Sequence, residues 1–313
     1  MKGLELSEKF YLEYGVPMIK EQFSHVENLL AIGLIGSGSE CFGYDDEIST
    51  DHDFEPGFCI FIPDESILDR RTEFLLERAY AKLPKEFMGY KRNMLSPVGG
   101  NRHGVIRISE FLKEKIGTSV ANMTYLDWLH IPEQSALEVT NGKLFCDNYG
   151  KMTDIREKLS YMPEDIRLKK LAGNLLIMCQ SGQYNYERCI KRKETGSAQL
   201  ALFEFVKSTM NVIFLLNKKY TPYYKWTFKA LRELKILSNL SSNLEYLISS
   251  KNSDTESLKK KRIIKEICTQ IITELNLQAL SKNQSEILEA HAYTVNNKIS
   301  FPEIRNLHIL TAI

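Results

Sequence analysis

The sequence predicts two domains of different class: an α+β domain over residues 1–150, in which short buried strands alternate with helices, and an all-α helical bundle over residues 151–313. Three observations carry that expectation. A chain of 313 residues is long for one hydrophobic core, and two domains suit it better. Before Tyr149, short apolar runs closed by Gly or Pro interrupt the helical spacing. Beyond Tyr149 the apolar spacing is helical.

The elements follow in order. LSEKFYLEYGVPMIKEQFSHVENLLA reads as a helix interrupted near Gly15–Pro17, because Pro17 restricts the residue before it. AIGLIG and FCIFIP read as buried strands. ESILDRRTEFLLERAYAKLP places Leu68, Leu75, Leu76 and Ala79 on one helical face. SPVGGNRHGVIRIS supplies a Gly-Gly turn and a third strand, Gly104 to Ile108, before the helix EFLKEKIG closes on Gly117. TYLDWLHIPEQ is a short helix stopped by Pro132, and Asn141–Gly142 is a hairpin signal. In the second half, YMPEDIRLKKL opens a helix with Pro163 and two acids in its first turn. SAQLALFEFVKSTMNVIFLLNKKY, apolar on most faces, is the central buried helix. TPYYKWTFKALREL restarts at a Thr221–Pro222 cap. SSNLEYLISSKNSDTES reads as a polar loop, and ESLKKKRIIKEICTQIITELNLQAL returns to helix.

The totals restrict the classes available. An apolar content of 43% and a charged content of 26% are ordinary for a soluble globular protein. Apolar stretches such as VIFLL fall short of the roughly 20 residues that span a bilayer. MKGLELSEKFYLEY has acids and no signal-like apolar core, so a cytoplasmic protein with no membrane partner is expected. Six scattered cysteines without a CxxC pair fit reduced thiols and argue against a zinc ribbon or disulfide framework. Charge is divided: residues 1–150 carry 15 Lys and Arg against 24 Asp and Glu, and residues 151–313 carry 26 against 16. That division suits a site bringing cations to one side and phosphate to the other; two solvated surfaces that happen to differ fit it equally.

Negative charge concentrates in GSGSECFGYDDEISTDHDFEPGF, Gly36 to Phe58, between the two strand-like runs. Glu40, Asp45, Asp46, Glu47, Asp51, Asp53 and Glu55 stand there without a Lys or Arg. Their repulsion requires a bound cation, a solvated turn, or both. Asp51 and Asp53 flank His52 in an extended-looking segment, so both carboxylates point to one face and His52 to the other. Such a pair suits magnesium (or manganese), a hard cation that leaves positions open for phosphate oxygens. Upstream, Gly36-Ser37-Gly38-Ser39 follows a strand. Glycine there lets backbone N–H groups approach an anion, and a serine hydroxyl can contact a phosphate.

Strand, Gly36-Ser37, then Asp51-His52-Asp53 resembles the signature of the DNA polymerase β-type nucleotidyltransferase superfamily. The longer run GSECFGYDDEISTDHDF is similar to one branch of it, domain-of-unknown-function family 4037. WLHIPEQSALEVTNGKLFCDN, the YMPEDIRLKKL helix start and YTPYYKW also resemble that branch, so the likeness runs from about Tyr14 to about Leu240. It implies a nucleotidyltransferase-like mixed sheet with packed helices, followed by a helical domain that closes over the acceptor. It also implies transfer of a nucleoside monophosphate from an NTP, with ATP among the candidates, to a hydroxyl-bearing acceptor, in the first place a small molecule. Gly36 and Ser37 would hold the triphosphate, with Gly38 and Ser39 beside them, and Asp51 and Asp53 would ligate the metal. Two departures stand out. Pro56-Gly57 interrupts the second strand soon after Asp53, and the third strand carries Arg107 where a third carboxylate is expected. Glu110 is the candidate for that catalytic carboxylate; it also reads as the first-turn acid of its helix.

The remaining residues keep two readings each. Asp45 and Asp46 are further ligands or turn residues. Arg102, with His103, contacts phosphate or only follows the Gly-Gly turn. Lys225 in YTPYYKW reaches the triphosphate or is a snorkelling surface lysine. Lys259-Lys260-Lys261-Arg262 is explained by a solvated helix face, so nucleic acid is not an expected partner. A homo-oligomer is compatible with the sequence. Two alternatives to the transferase stay open: an inactive nucleotide-binding or regulatory module of the same fold, and a toxin–antitoxin-like enzyme modifying a protein or RNA.

Overall fold

A computed structural model describes residues 1–50, 54–92, 103–120 and 123–313. The chain divides into two compact units, residues 1–123 with 134–160 and residues 124–133 with 161–313. Compared with a division at residue 150, residues 151–160 go with the first unit and 124–133 with the second.

In the first unit, α1 (Gly3–Phe10) runs through a π turn, Tyr11–Gly15, into α2 (Val16–Gln22). Pro17 lacks an N–H and its ring crowds the carbonyl four residues back; the wider π turn just before it relieves both demands. The interruption expected near Gly15–Pro17 is thus a change of helical register within a continuous helical run. β1 (Ala31–Leu34) and β2 (Cys59–Ile62) are buried at every position, with the short α3 (Ser39–Phe42) between them. α4 (Arg70–Ala81) starts on Asp69, whose carboxylate accepts from the Thr72 N–H at 2.9 Å. Leu68, Leu76 and Ala79 are buried, whereas Leu75 points outward. A small hairpin of β3 (Glu86–Phe87) and β4 (Tyr90–Lys91) follows. β5 (Gly104–Arg107) passes directly into α5 (Ile108–Ile116), which ends on Gly117 in the left-handed region. α6 (Tyr125–His130), which belongs to the second unit, has a Thr124–Asp127 capping box, and α7 (Glu133–Thr140) begins after Pro132. β6 (Lys143–Asp147) and α8 (Lys151–Lys158) complete the first unit.

Four strands form one mixed sheet in the order β5-β2-β1-β6. β1 is antiparallel to both β2 and β6, and β2 is parallel to β5. Gly33 lies opposite Cys59, and Cys59 opposite Gly104. The chain therefore leaves β1 and enters β2 and β5 at one end of the sheet. Leu6, Phe10, Leu30, Ile32, Phe58, Ile60, Ile62 and Leu76 join sheet and helices in one buried cluster. Asn141–Gly142 joins α7 to β6, so it closes a helix and not a hairpin. The same positive φ serves a helix C-terminus as well as a two-residue turn, and Gly142 has φ +59°.

The second unit, apart from α6, is built from α9 (Glu164–Met178), α10 (Tyr186–Lys191), α11 (Thr195–Leu216), α12 (Tyr224–Arg232), α13 (Ser241–Ser249), α14 (Asp254–Leu277), α15 (Leu288–Asn296) and α16 (Pro302–Arg305). Among the described residues α11 is the one helix long and apolar enough to cross a membrane, and most of it is buried. Ala198, Leu202, Phe205, Val206 and the run Val212–Leu216 bury it, with α9 as a main neighbour, as a core helix. Three local expectations change. α12 starts at Tyr224 with Tyr223 at its N-cap, and Thr221 instead ties its N–H to the Glu133 carboxylate at 2.9 Å. The expected polar loop contains α13, whose Leu244 and Leu247 are buried; its serines sit at helix ends, and Ser253 caps α14. Lys260 of the basic run is fully buried, donating to the Ser250 carbonyl at 2.8 Å and to Asn252 Oδ1 at 2.9 Å, while Lys261 pairs with Glu187 at 3.0 Å. That run is not a free cationic face. All six cysteines are free thiols.

Candidate active site

The site in the first unit is built where β1 ends. Gly36, at φ +117°, turns the chain off the strand, and open space surrounds the position a Cβ would take. The turn is held from α7 and the residue after it. The Gly36 N–H donates to Asn141 Oδ1 at 3.0 Å, and Asn141 Nδ2 donates back to the Gly36 carbonyl at 2.8 Å. Asn141 is fixed in turn by its helix end, where Arg156 donates to the Asn141 and Thr140 carbonyls at 2.7 and 2.9 Å. Burial of Arg156 lowers its pKa.

Ser37 is equally engaged. Its hydroxyl donates to Glu138 Oε2 at 2.9 Å and accepts from Lys115 Nζ at 2.9 Å. Lys115 also donates to Glu138 Oε2 at 2.9 Å, closing a three-membered ring of serine, lysine and glutamate. Gly38, at φ +127°, leads into α3, and Ser39 begins that helix with its hydroxyl 3.5 Å from Glu40 Oε2.

A cleft of about 240 Å³ opens beside this turn. Gly36 and Ser37 line it together with Ile35, Cys59, Val105, Ile106 and Phe111, and α5 contributes Glu110, Glu114 and Lys115. Burial pushes the Cys59 thiol up to about 12, so it stays protonated at the wall. Glu110 is exposed in the first turn of α5, which begins directly after β5; that places it on the cleft's rim. Arg107 is committed to the fold. Its buried guanidinium donates to the Pro63 carbonyl at 2.8 Å and the Leu68 carbonyl at 3.2 Å and pairs with Glu73.

The acidic stretch is spent more widely than its composition suggested. Asp45 is buried; its carboxylate accepts from the Gly3 N–H at 2.8 Å, pinning the start of α1, and pairs with Lys2. Asp46 Oδ1 accepts from the Ile48 and Ser49 N–H groups, each at 3.1 Å, and stabilises a turn. Glu55 lies 3.1 Å from His103 Nδ1, and that ring packs on Gly57. Asp51, His52, Asp53 and Arg102 lie outside the described residues, as does the Gly99–Gly100 turn. Among the described residues no three His, Cys, Asp or Glu side chains come together as a metal-binding group.

In the second unit, Lys225 is exposed on α12, its ammonium 5.0 Å from the Trp226 ring centroid. Deeper, three of the sequence segments singled out above meet. Glu133 of WLHIPEQ accepts from Thr221 of YTPYYKW and stands 4.0 Å from Lys170 Nζ of the YMPEDIRLKKL helix. Tyr161 stacks obliquely on Tyr220 with ring centroids 5.3 Å apart. Burial raises the Glu133 pKa and lowers that of Lys170.

Residues 128–227 match the family described as Domain of unknown function (DUF4037). The match covers about a third of the chain and contains WLHIPEQ, the YMPEDIRLKKL start and YTPYYKW. It bears out the resemblance to that family; the Gly36–Phe58 stretch lies upstream of it. No curated protein and no solved structure matches the chain. The convergence of Glu133, Lys170 and Thr221 gives the DUF4037 segment a physical meaning, since its separate motifs form one buried polar cluster in the second unit.

Sequence reasoning missed Lys115, Glu138 and Asn141. Lys115 and Glu138 look like ordinary charges on amphipathic helices, and Asn141 reads as part of a turn signal. The signal that could have found Asn141 is its amide, able to donate and accept at once against a strand-end glycine.

Proposed function

We propose that the first unit is a metal-dependent nucleotidyltransferase that moves a nucleoside monophosphate from an NTP to a hydroxyl-bearing acceptor, in the first place a small molecule. The observation that carries this reading is the strand arrangement. The strand ending in Gly36-Ser37 is antiparallel to the strand entered from the acidic stretch, so the chain leaves one and enters the other at the same end of the sheet. A cleft holding Gly36, Ser37 and Glu110 opens beside that turn.

The donors on the described wall, Glu110 and Glu114, are hard carboxylate oxygens of the kind magnesium takes, and Asp51 and Asp53 would add two more. When bound, magnesium (or manganese) supplies charge neutralisation to the phosphate oxygens. The chain's own residues divide the remaining work. The Gly36–Ser37 turn, with Gly38 and Ser39 behind it, seats the triphosphate, and Arg102 would add positive charge. Glu110, exposed on the cleft's rim, takes the proton of the acceptor hydroxyl as its oxygen bonds to the α-phosphorus and pyrophosphate leaves. Six free thiols support a reducing, cytoplasmic setting.

The test is thermal stability with each NTP, with and without magnesium, in wild type and Asp51→Asn. A ligand at 100 times its Kd adds about 2.7 kcal/mol. The expected result is a shift that needs nucleotide and metal together and disappears in Asp51→Asn. An undiminished shift in that variant overturns the reading. One observation favours a second reading, a nucleotide-binding module without transfer: on β5 the buried Arg107 is committed to Glu73 where a third carboxylate is expected. A magnesium-dependent shift with no pyrophosphate release on incubation with cell extract would select it.

A further inference from the structure

The cleft beside the Gly36–Ser37 turn has one cation among the described residues that line it, Lys115. Its ammonium is already occupied: it donates to Ser37 Oγ and to Glu138 Oε2, each at 2.9 Å, and Glu114 Oε1 stands 3.6 Å away. The Lys115 and Glu138 side chains are 14% and 17% exposed, so water screens the pair only weakly. The hydroxyl expected to meet a phosphate is therefore locked into this ring, and the charge that would attract the phosphate is masked by Glu138.

We infer that Lys115 is the triphosphate-binding cation of this site and that Glu138 is a counter-ion that holds it on Ser37 and competes with the incoming phosphate. This rests on the nucleotidyltransferase reading. A phosphate oxygen arriving at the turn takes over a Lys115 N–H that Glu138 now accepts, and the Ser37 hydroxyl, released from Glu138, can turn its proton to the same anion. No covalent step is involved. The ring holds the turn in place before binding, and breaking it sets part of the binding threshold.

The two partners then have effects of opposite sign, which a purely structural role cannot produce. Lys115→Met should weaken binding of ATP and of inorganic triphosphate, both with magnesium, by tenfold or more, roughly the worth of one charge-assisted hydrogen bond. Adenosine, lacking phosphate, should bind the variant unchanged, and Lys115→Arg should recover most of the loss. Glu138→Gln keeps the shape and an acceptor for Lys115 but removes the charge, and should tighten inorganic triphosphate by about threefold or more. Calorimetric titration with these three probes, on variants whose melting temperatures have been checked, reads all four expectations.

Weaker binding in both Lys115→Met and Glu138→Gln, with adenosine equally affected, makes the ring structural and overturns the inference. Wild-type affinity in Lys115→Met overturns it while leaving the nucleotidyltransferase reading intact. Failure of the wild type to bind any nucleotide or triphosphate, with or without magnesium, overturns both.

Discussion

Gly142→Ala is expected to cost about 4 kcal/mol of folding free energy and to disorganise the Gly36–Ser37 turn at the same time. Two causes add. Gly142 holds φ +59°, where an L side chain is strained, and an added Cβ would stand 2.0 Å from the Leu34 carbonyl oxygen and 3.0 Å from Ile35 Cα. Neither neighbour is a flexible side-chain tip; both are backbone at the end of β1, one residue or two from Gly36. Gly142→Asn separates the causes, because asparagine accepts the left-handed region but still carries a Cβ. Equal losses in urea denaturation of the two variants assign the cost to the close approach. A loss confined to alanine assigns it to backbone strain. Wild-type stability in Gly142→Ala would contradict the packing described for this junction.

The second large effect lies in the DUF4037 segment. Lys170→Met and Glu133→Gln are each expected to destabilise by about 3 kcal/mol, because each leaves the other charge buried without its partner. The double variant should lose clearly less than the sum, and a double-mutant cycle in urea measures the difference. Additive losses would mean that the 4.0 Å separation carries no coupling. The pH dependence has a definite sign. Burial raises the folded pKa of Glu133, so its contribution is fully present below the ordinary glutamate value and is lost as pH rises through the folded value. Burial lowers the folded pKa of Lys170, so its contribution is present above the ordinary lysine value and is lost as pH falls through the folded one. Removing Lys170 takes away the charge that holds Glu133 down. The Lys170→Met defect should therefore be larger at pH 8 than at pH 5, where Glu133 can take up a proton.

Much of the fold was legible because local pattern and burial agree. AIGLIG and FCIFIP have no polar position to present to water, and both become strands buried throughout. The acids after Pro163 mark a helix start by the unpaired N–H groups there, whereas the Asp69 cap of α4 emerged only in the structure. Legibility failed where one residue type serves two local structures. Asn141–Gly142 fits a hairpin or a helix end, and serines fill a loop or cap helices as they do around α13. A Lys-rich run looks solvated until Lys260 is seen buried on carbonyl and amide oxygens. Of the candidate site, the Gly36–Ser37 turn and Glu110 were readable as motif and helix start, and the structure brings them to one cleft. Asp51, Asp53 and Arg102 lie outside the described residues, and Lys225 belongs to the other unit.

By itself the sequence determined the two buried strands and most of the helices, where negative charge accumulates, and which segments resemble the DUF4037 family, because these depend on neighbours along the chain. Only the tertiary structure decided which charges are already spent. Asp45 on the start of α1, Arg107 on Glu73, and Ser37 between Lys115 and Glu138 are pairings across 34 to 101 residues of sequence. No local spacing encodes such a pairing; it exists because the folded sheet and helices bring those groups within hydrogen-bond distance and exclude the water that would otherwise satisfy them.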